Sequence, residues 1–199
     1  MTSPSDAPTP PRALVLVGPM GAGKSSIGRR LARALGARFR DTDSEIVKAH
    51  GPITQIFADH GEPRFRELEH EAVLAALGRG GVVALGGGAV THAGTREALR
   101  AHHVILLTVE ERVVAGRIRS QKRPLLNTGE DPLDTWIRIR DAREPLYREV
   151  ADVAFDTSHG PLQDVVTAIA EWAGQHDPAY AAASTPADQT APDEKESAR

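Results

Sequence analysis

Short apolar or β-branched runs alternate with longer segments of helical pattern along the middle of this chain. Five runs are typical of buried strands, at residues 13–17, 38–43, 81–86, 103–108 and 152–157. The segments between and after them predict helices at 26–36, 54–61, 62–78, 95–102, 111–119, 134–150 and 161–174. This alternation predicts an α/β fold in which helices cover both faces of a parallel five-stranded sheet. Ligands of such sheets bind beyond the carboxyl ends of the strands.

The two ends of the chain differ in composition from the middle. Pro, Ser, Thr, Ala and Asp dominate both ends, which offer little apolar surface to offset the entropy lost on ordering. We therefore expect a disordered N-terminal arm at 1–11, one folded domain at 12–175 and a disordered acidic C-terminal tail at 176–199. The arm has neither a basic start nor an apolar core, so it does not resemble a signal peptide. No apolar run is long enough to span a bilayer.

The charge and the absence of cysteine exclude several classes of partner and of catalytic site. The 199 residues carry 24 Lys and Arg against 27 Asp and Glu, a formal net charge of −3. Most of that excess lies in the tail, so the folded domain is close to neutral and nucleic acid is not an expected partner. The chain has no Cys, which excludes disulfides, thiolate metal sites and a cysteine nucleophile. Its eight His show no metal-ligand spacing.

A glycine-rich loop follows the first predicted strand and opens a helix. Residues 18–25 read GPMGAGKS and fit G-x-x-x-x-G-K-[ST], whose backbone N–H groups cradle phosphates at a helix N-terminus. The residues expected to hold the triphosphate are Gly21, Ala22, Gly23, Lys24, Ser25 and Ser26. Lys24 would reach the β- and γ-phosphates, and Ser25 would bind Mg²⁺. An ordinary glycine-rich helix cap is the alternative, but the complete motif in this context favours nucleotide binding.

Two carboxylates close the second predicted strand. Strand alternation would direct Asp41 and Asp43 to the same side of the strand end. One division of labour places Asp41 toward Mg²⁺ through water and Asp43 toward the hydroxyl that accepts the phosphoryl group. The alternative is that Asp43 or Ser44 only caps the next helix.

Further candidates lie on a helix and at a strand end. Arg66 and Glu69 are three residues apart, so they form either an ordinary ion pair or an arginine held by Glu69 to grip an anionic substrate. The third strand runs directly into Gly86, Gly87 and Gly88. Three glycines at the carboxyl end of a strand predict close approach of a ligand to the main chain.

A polar segment at about 119–131 interrupts two predicted helices and is typical of a lid or a disordered insert. Arg123 lies where a closing lid would bring positive charge to the transferring phosphoryl group. Arg143, on the helix that follows, has by itself the pattern of a surface arginine.

Six motifs occur in order along the chain: GPMGAGKSS, DTD, GEPRFRELE, LGGGAV, RPLL and AREPLY. Together they resemble the shikimate kinase family over roughly residues 12–175. The resemblance implies a P-loop NTPase fold of the nucleoside-monophosphate-kinase type, with a substrate-binding helical region and a mobile lid. It implies transfer of the ATP γ-phosphate to the 3-hydroxyl of shikimate, with Mg²⁺, on the route to chorismate and the aromatic amino acids.

The resemblance also assigns residues. It implies shikimate contacts at Asp43, Arg66, Gly87, Gly88 and Arg143. It implies nucleotide contacts at Arg117, Arg123 and Gly160, with metal ligation at Ser25. Asp43, Lys24 and Arg123 would then be catalytic: Asp43 accepts the hydroxyl proton while the two cations offset phosphoryl charge. Arg119 is an alternative to Arg117 for stacking on adenine, and His159 or main chain would replace an arginine that the loop at 157–161 lacks.

Two competing functions share the phosphate loop. Other small-molecule kinases, such as gluconate kinase, have the loop without the remaining set of motifs. A nucleotide-dependent switch would hydrolyse little ATP and gate a partner. For the kinase we expect ATP and shikimate as ligands, neither nucleic acid nor membrane as partner, a monomer, and a cytoplasmic location.

Overall fold

The computed structural model describes residues 12–118 and 131–181. Its strands are β1 Leu14–Val17, β2 Phe39–Asp41, β3 Val82–Ala84, β4 His103–Thr108 and β5 Val153–Asp156. They form one parallel sheet in the order β2-β3-β1-β4-β5. The predicted five-stranded parallel sheet is therefore confirmed, and because all strands share one direction their carboxyl ends meet at one edge.

Helices connect the strands. They are α1 Lys24–Ala34, α2 Thr42–His50, α3 Ile53–Gly78, α4 Ala93–Leu99, α5 Glu111–Ile118, α6 Pro132–Val150, α7 Leu162–His176 and α8 Pro178–Ala181. Inside α3, Gly61 has φ 78° and ψ 171°, which breaks the helical path. The two helices predicted at 54–61 and 62–78 thus meet at a kink that only glycine adopts without strain.

Each face of the sheet buries its own apolar layer. On one face, α1 and α7 cover alternate strand residues; this layer includes Leu14, Leu16, Ile27, Leu31, Ile105, Leu107 and Ile169. On the other face, α3, α4 and α6 cover the remaining positions; this layer includes Val15, Val17, Val73, Leu77, Leu99, Leu106 and Tyr147. Because β1 and β4 are buried on both sides, their sequences are continuous apolar runs rather than alternating ones.

The second strand is shorter than predicted. It ends at Asp41, and Thr42 already begins α2. Asp41 is the N-cap of that helix, because its Oδ1 accepts a hydrogen bond from the Ser44 N–H at 3.1 Å. The prediction that Asp41 and Asp43 project together from a strand is therefore wrong, and so is the alternative that Asp43 or Ser44 provides the cap. Aspartate at the N-cap favours a helix here over further strand.

The domain also extends beyond its predicted end at residue 175. Helix α8 follows α7, and Tyr180 is only 5% exposed. The Tyr180 hydroxyl donates to the Arg12 carbonyl at 2.6 Å, which joins the two ends of the described domain. The predicted disordered tail thus begins too early, since residues 176–181 belong to the domain. The arm, most of the lid and the rest of the tail lie outside the described residues.

Candidate active site

The phosphate loop connects β1 to α1 at the carboxyl edge of the sheet. Gly21 and Gly23 have φ of 81° and 87°, the left-handed region that favours glycine. A Cβ at Gly21 would also collide with the Val114 side chain of α5. Helix α1 begins at Lys24 and has no side-chain cap from the described residues. A helix N-terminus of this kind is a site for phosphate oxygens.

The motif's Lys and Ser connect the loop to its surroundings. Lys24 Nζ donates to the carbonyl oxygens of Gly18 and Pro19 at 2.7 and 3.0 Å, so its charge lies against its own loop. Ser25 Oγ donates to Asp41 Oδ2 at 2.5 Å. Asp41 therefore uses one oxygen to cap α2 and the other to contact the phosphate loop.

Ser25 and Asp41 form a donor set that fits Mg²⁺. Both offer oxygen, and this cation takes one or two protein oxygens while phosphates and waters complete its shell. Among the residues that the structure describes, no group of three or more His, Cys, Asp or Glu could hold a metal ion.

Arg66 is held from two sides by carboxylates. Its Nη1 lies 2.6 Å from Glu69 Oε2, and its Nη2 lies 2.7 Å from Glu62 Oε1. Glu69 is 2% exposed, and burial raises its pKa although the Arg66 guanidinium opposes that rise. Burial alone would lower the pKa of Arg66, but Glu69 and Glu62 outweigh it and raise that pKa. The guanidinium is therefore a fixed positive group.

The tri-glycine segment, Gly86–Gly88, makes room for these side chains. A Cβ at Gly86 would collide with the carboxylate oxygens of Asp43 and Glu69, and one at Gly88 would collide with the Arg66 guanidinium. From the sequence, these glycines predict close approach of a ligand to the main chain. At Gly86 and Gly88 the groups that approach so closely are instead side chains of the protein itself.

Gly87 lies between the phosphate loop and α6. A Cβ there would be 3.5 Å from Met20 Cγ and 3.7 Å from the Gly18 oxygen. On its other side, the Gly87 carbonyl accepts hydrogen bonds from Arg143 Nη1 at 3.1 Å and from the Tyr147 hydroxyl at 2.5 Å. Arg143 therefore contacts the tri-glycine segment, which its own sequence pattern does not indicate.

The structure thus brings together five residues that the sequence implies for the acceptor: Asp43, Arg66, Gly87, Gly88 and Arg143. Charges of both signs and bare backbone meet there, beside the phosphate loop. Such a site suits a small polar molecule that carries both a carboxylate and hydroxyl groups.

Three residues of the region were not predicted. Thr42 and Tyr147 hydrogen-bond to the tri-glycine segment, and Trp136 Nε1 donates to the Met20 carbonyl of the phosphate loop at 2.9 Å. Trp136 and Tyr147 are at most 1% exposed and have the sequence pattern of core residues. The one signal in the sequence is that a buried Trp or Tyr carries a polar N–H or O–H group, which usually has a hydrogen-bond partner.

Of the residues implied for the adenine side, the structure describes Gly160 and the backbone of Arg117. Gly160 has φ 73° in the loop between β5 and α7, and the structure describes Arg117 only through its backbone in α5. Arg123 and its neighbour Arg119 lie outside the described residues. His159 is 60% exposed, with Nε2 2.7 Å from Arg112 Nη2.

An open pocket of about 520 Å³ lies at the carboxyl ends of β4 and β5. Among the described residues, its lining includes Thr108, Asp156 and the first turn of α5. In the described parts of the chain, no helix combines the length and apolar character needed to cross a membrane.

The chain is similar to known proteins in both its sequence and its structure. The family model described as Shikimate kinase matches residues 20–173. A shikimate kinase of Corynebacterium efficiens is 45% identical over 158 residues, which are 78% of this chain and 93% of that protein. The structure of shikimate kinase from Acinetobacter baumannii in complex with shikimate has a TM-score of 0.79 at 38% identity, covering 84% of this chain and 95% of that one. The shikimate kinase from Bacteroides thetaiotaomicron has a TM-score of 0.74 at 28% identity, covering 82% and 98%.

Proposed function

Because the chain belongs to the shikimate kinase family, we propose that it transfers the γ-phosphate of ATP to the 3-hydroxyl of shikimate. The products are shikimate 3-phosphate and ADP, on the route to chorismate and the aromatic amino acids. The observation that carries the proposal is the position of Gly87. It faces the phosphate loop on one side and accepts a hydrogen bond from Arg143 on the other. The residues implied for ATP and those implied for shikimate therefore meet at one backbone position.

Two arginines would hold the shikimate carboxylate. Glu69 and Glu62 position the Arg66 guanidinium, and the Gly87 carbonyl positions that of Arg143. A planar guanidinium presents its donors in a fixed fork that matches a carboxylate. Because both forks are held before substrate arrives, little side-chain entropy is lost on binding.

Asp43 would orient the 3-hydroxyl and accept its proton as the new P–O bond forms. It lies in the first turn of α2 beside Gly86, next to the buried Glu69 carboxylate. Placing the hydroxyl in line with the γ-phosphate supplies most of the rate in such a reaction, since phosphoryl transfer depends on positioning and electrostatics. A covalent protein intermediate is not required.

The phosphate loop would hold the triphosphate through Gly21, Ala22, Gly23 and Ser26, with Lys24 at the β- and γ-phosphates. Ser25 and, through water, Asp41 would hold Mg²⁺, which offsets negative charge on the phosphate oxygens when it is bound. Arg117 and Gly160 remain our proposals for the adenine side, and Arg123 for added positive charge at the γ-phosphate.

A panel of acceptors tests the function. Purified full-length chain is given ATP and Mg²⁺ with shikimate, quinate, gluconate or no acceptor, and ADP release is coupled to NADH oxidation. We expect ADP release that depends on shikimate. Faster turnover with gluconate would favour another small-molecule kinase, and equal release without any acceptor would favour a nucleotide switch.

We also propose a monomer in the cytoplasm, where ATP is available. Among residues 12–116 and 131–181, the exposed large apolar side chains are Val47 and Leu74. Two such residues offer little apolar area for a stable dimer. Light scattering after size exclusion should give the mass of one chain, and the mass of two would contradict the proposal.

A further inference from the structure

Two hydroxyl groups hold the opposite ends of the Gly86–Gly87 dipeptide. The Gly86 N–H donates to Thr42 Oγ1 at 3.1 Å, and the Gly87 carbonyl accepts from the Tyr147 hydroxyl at 2.5 Å. Thr42 is the first residue of α2, and Tyr147 lies near the end of α6. Two helices far apart in the chain therefore meet on one dipeptide.

The dipeptide needs such support because glycine does not restrict its own backbone. The carboxylates of Asp43 and Glu69 pack directly on Gly86, and the Arg66 guanidinium packs on Gly88. A small rotation of the dipeptide would therefore move the surface on which three side chains rest. Errors of about 1 Å in such a site can lower turnover on the order of 100-fold.

Thr42 is completely buried. Its hydroxyl accepts from Gly86 and also donates to the Ala84 carbonyl at 3.4 Å, at the end of β3. It lies between Asp41, which contacts the phosphate loop, and Asp43, which faces the acceptor site. A valine would fill the same volume but would leave the buried Gly86 N–H without its partner, which is costly.

Tyr147 is 1% exposed and shares the Gly87 carbonyl with Arg143. Burial raises the pKa of Tyr147 to about 12 although Arg143 opposes the rise, so the phenol keeps its proton near neutral pH and acts as a donor. The shared acceptor fixes the guanidinium of Arg143 relative to the ring of Tyr147.

We propose that Thr42 and Tyr147 are positioning residues for phosphoryl transfer, whose hydroxyls fix the Gly86–Gly87 backbone so that Asp43 and Arg143 face the same acceptor. This inference rests on the proposed function and deepens it. Neither residue touches the reacting atoms; both act through the glycines.

The first test compares Thr42→Val with Thr42→Ser in steady-state kinetics. Loss of the hydroxyl should lower kcat/KM for shikimate by about 10- to 100-fold, while KM for ATP changes less than about 2-fold. Serine keeps the hydroxyl and should restore kcat/KM to within about 3-fold of the unmodified chain. Equal kinetics for valine and the unmodified chain, or failure of serine to restore activity, would overturn the assignment.

The second test is a double-mutant cycle with Tyr147→Phe. This change alone should raise KM for shikimate more than it lowers kcat, because Arg143 loses the neighbour that shares its acceptor. If both hydroxyls fix one dipeptide, the double variant should lose less than the sum of the two single losses. Strict additivity would contradict a shared role.

Thr157→Val is the matched control. Thr157 is 3% exposed, and its hydroxyl donates to the Thr108 carbonyl at 2.8 Å near the opposite edge of the sheet. The Thr157→Val variant should melt at a lower temperature than the unmodified chain, like Thr42→Val, but its KM for shikimate should not change. An equal rise in KM for both variants would mean that Thr42 contributes only to general stability.

If Thr42→Val melts below the assay temperature, the kinetics of Tyr147→Phe alone test the inference. An unmodified chain without shikimate turnover contradicts the proposed function, whereas a fully active valine variant contradicts only this inference.

Discussion

The phosphate loop and the acceptor region are built in contrasting ways. The loop is one contiguous segment, Gly18–Ser25, whose glycines and helix N-terminus are set by local backbone geometry. The acceptor region takes Asp43 from α2, Arg66 from α3, Arg143 from α6 and bare backbone from the tri-glycine segment. The phosphate loop is specified by the spacing of residues along the chain, whereas the acceptor region is specified by tertiary packing.

The contrast explains where each region is vulnerable. In the loop, Lys24 and Ser25 contact groups within the loop or at the neighbouring end of β2. In the acceptor region, Arg66 depends on the buried Glu69 carboxylate, and Arg143 depends on the Gly87 carbonyl, which is 56 positions away along the chain. Changes there should therefore affect the acceptor selectively, and that selectivity can be measured.

Asp43→Asn should produce the largest effect. The amide keeps the size of the side chain but cannot accept a proton, so kcat should fall by about 1,000-fold while ATP binding measured by calorimetry stays within about 2-fold. Asp59→Asn, an exposed change on α3, is the control and should leave kcat unchanged. An equal loss of ATP affinity in Asp43→Asn would place this residue with the phosphate loop instead.

Arg66→Lys should have an intermediate effect. Lysine keeps the charge but loses the fork and cannot contact Glu69 and Glu62 together, so KM for shikimate should rise by about 10- to 100-fold. Arg64→Lys, whose arginine is exposed and pairs with Glu67 on the same helix, is the matched control. Unchanged shikimate KM in Arg66→Lys would count against a bidentate grip on the carboxylate.

Trp136→Phe should have the smallest effect, and it should change the binding of ATP at the phosphate loop rather than the binding of shikimate. Phenylalanine retains an aromatic ring but loses the N–H that donates to the Met20 carbonyl, so KM for ATP should rise by about 2- to 5-fold with shikimate KM unchanged. Trp172→Phe, on α7 where the ring stacks on His176, is the control. A larger change in KM for shikimate than in KM for ATP would contradict the functional separation of the two regions.

The same contrast decides what could be predicted from sequence. The strands, their parallel arrangement and the phosphate loop follow from local patterns, since contiguous residues carry the signal. The exact end of β2 did not follow, because whether the strand continues past Asp41 or a helix begins at Thr42 depends on local hydrogen bonds that propensity does not resolve. The residue pairs Thr42–Gly86 and Tyr147–Gly87 are 44 and 60 positions apart, and no periodicity reveals them.

Arg143 shows how the resemblance helped where pattern alone failed. By itself it has the pattern of a surface arginine, whereas the family's order of motifs assigns it to shikimate. The structure brings it to the Gly87 carbonyl.

Identification of the product tests the central claim most directly. The full-length chain is incubated with equimolar ATP and shikimate in the presence of Mg²⁺, and the mixture is followed by phosphorus and proton NMR. We expect ADP together with an equal amount of shikimate phosphorylated on its 3-oxygen. ADP with free inorganic phosphate and unchanged shikimate would contradict it.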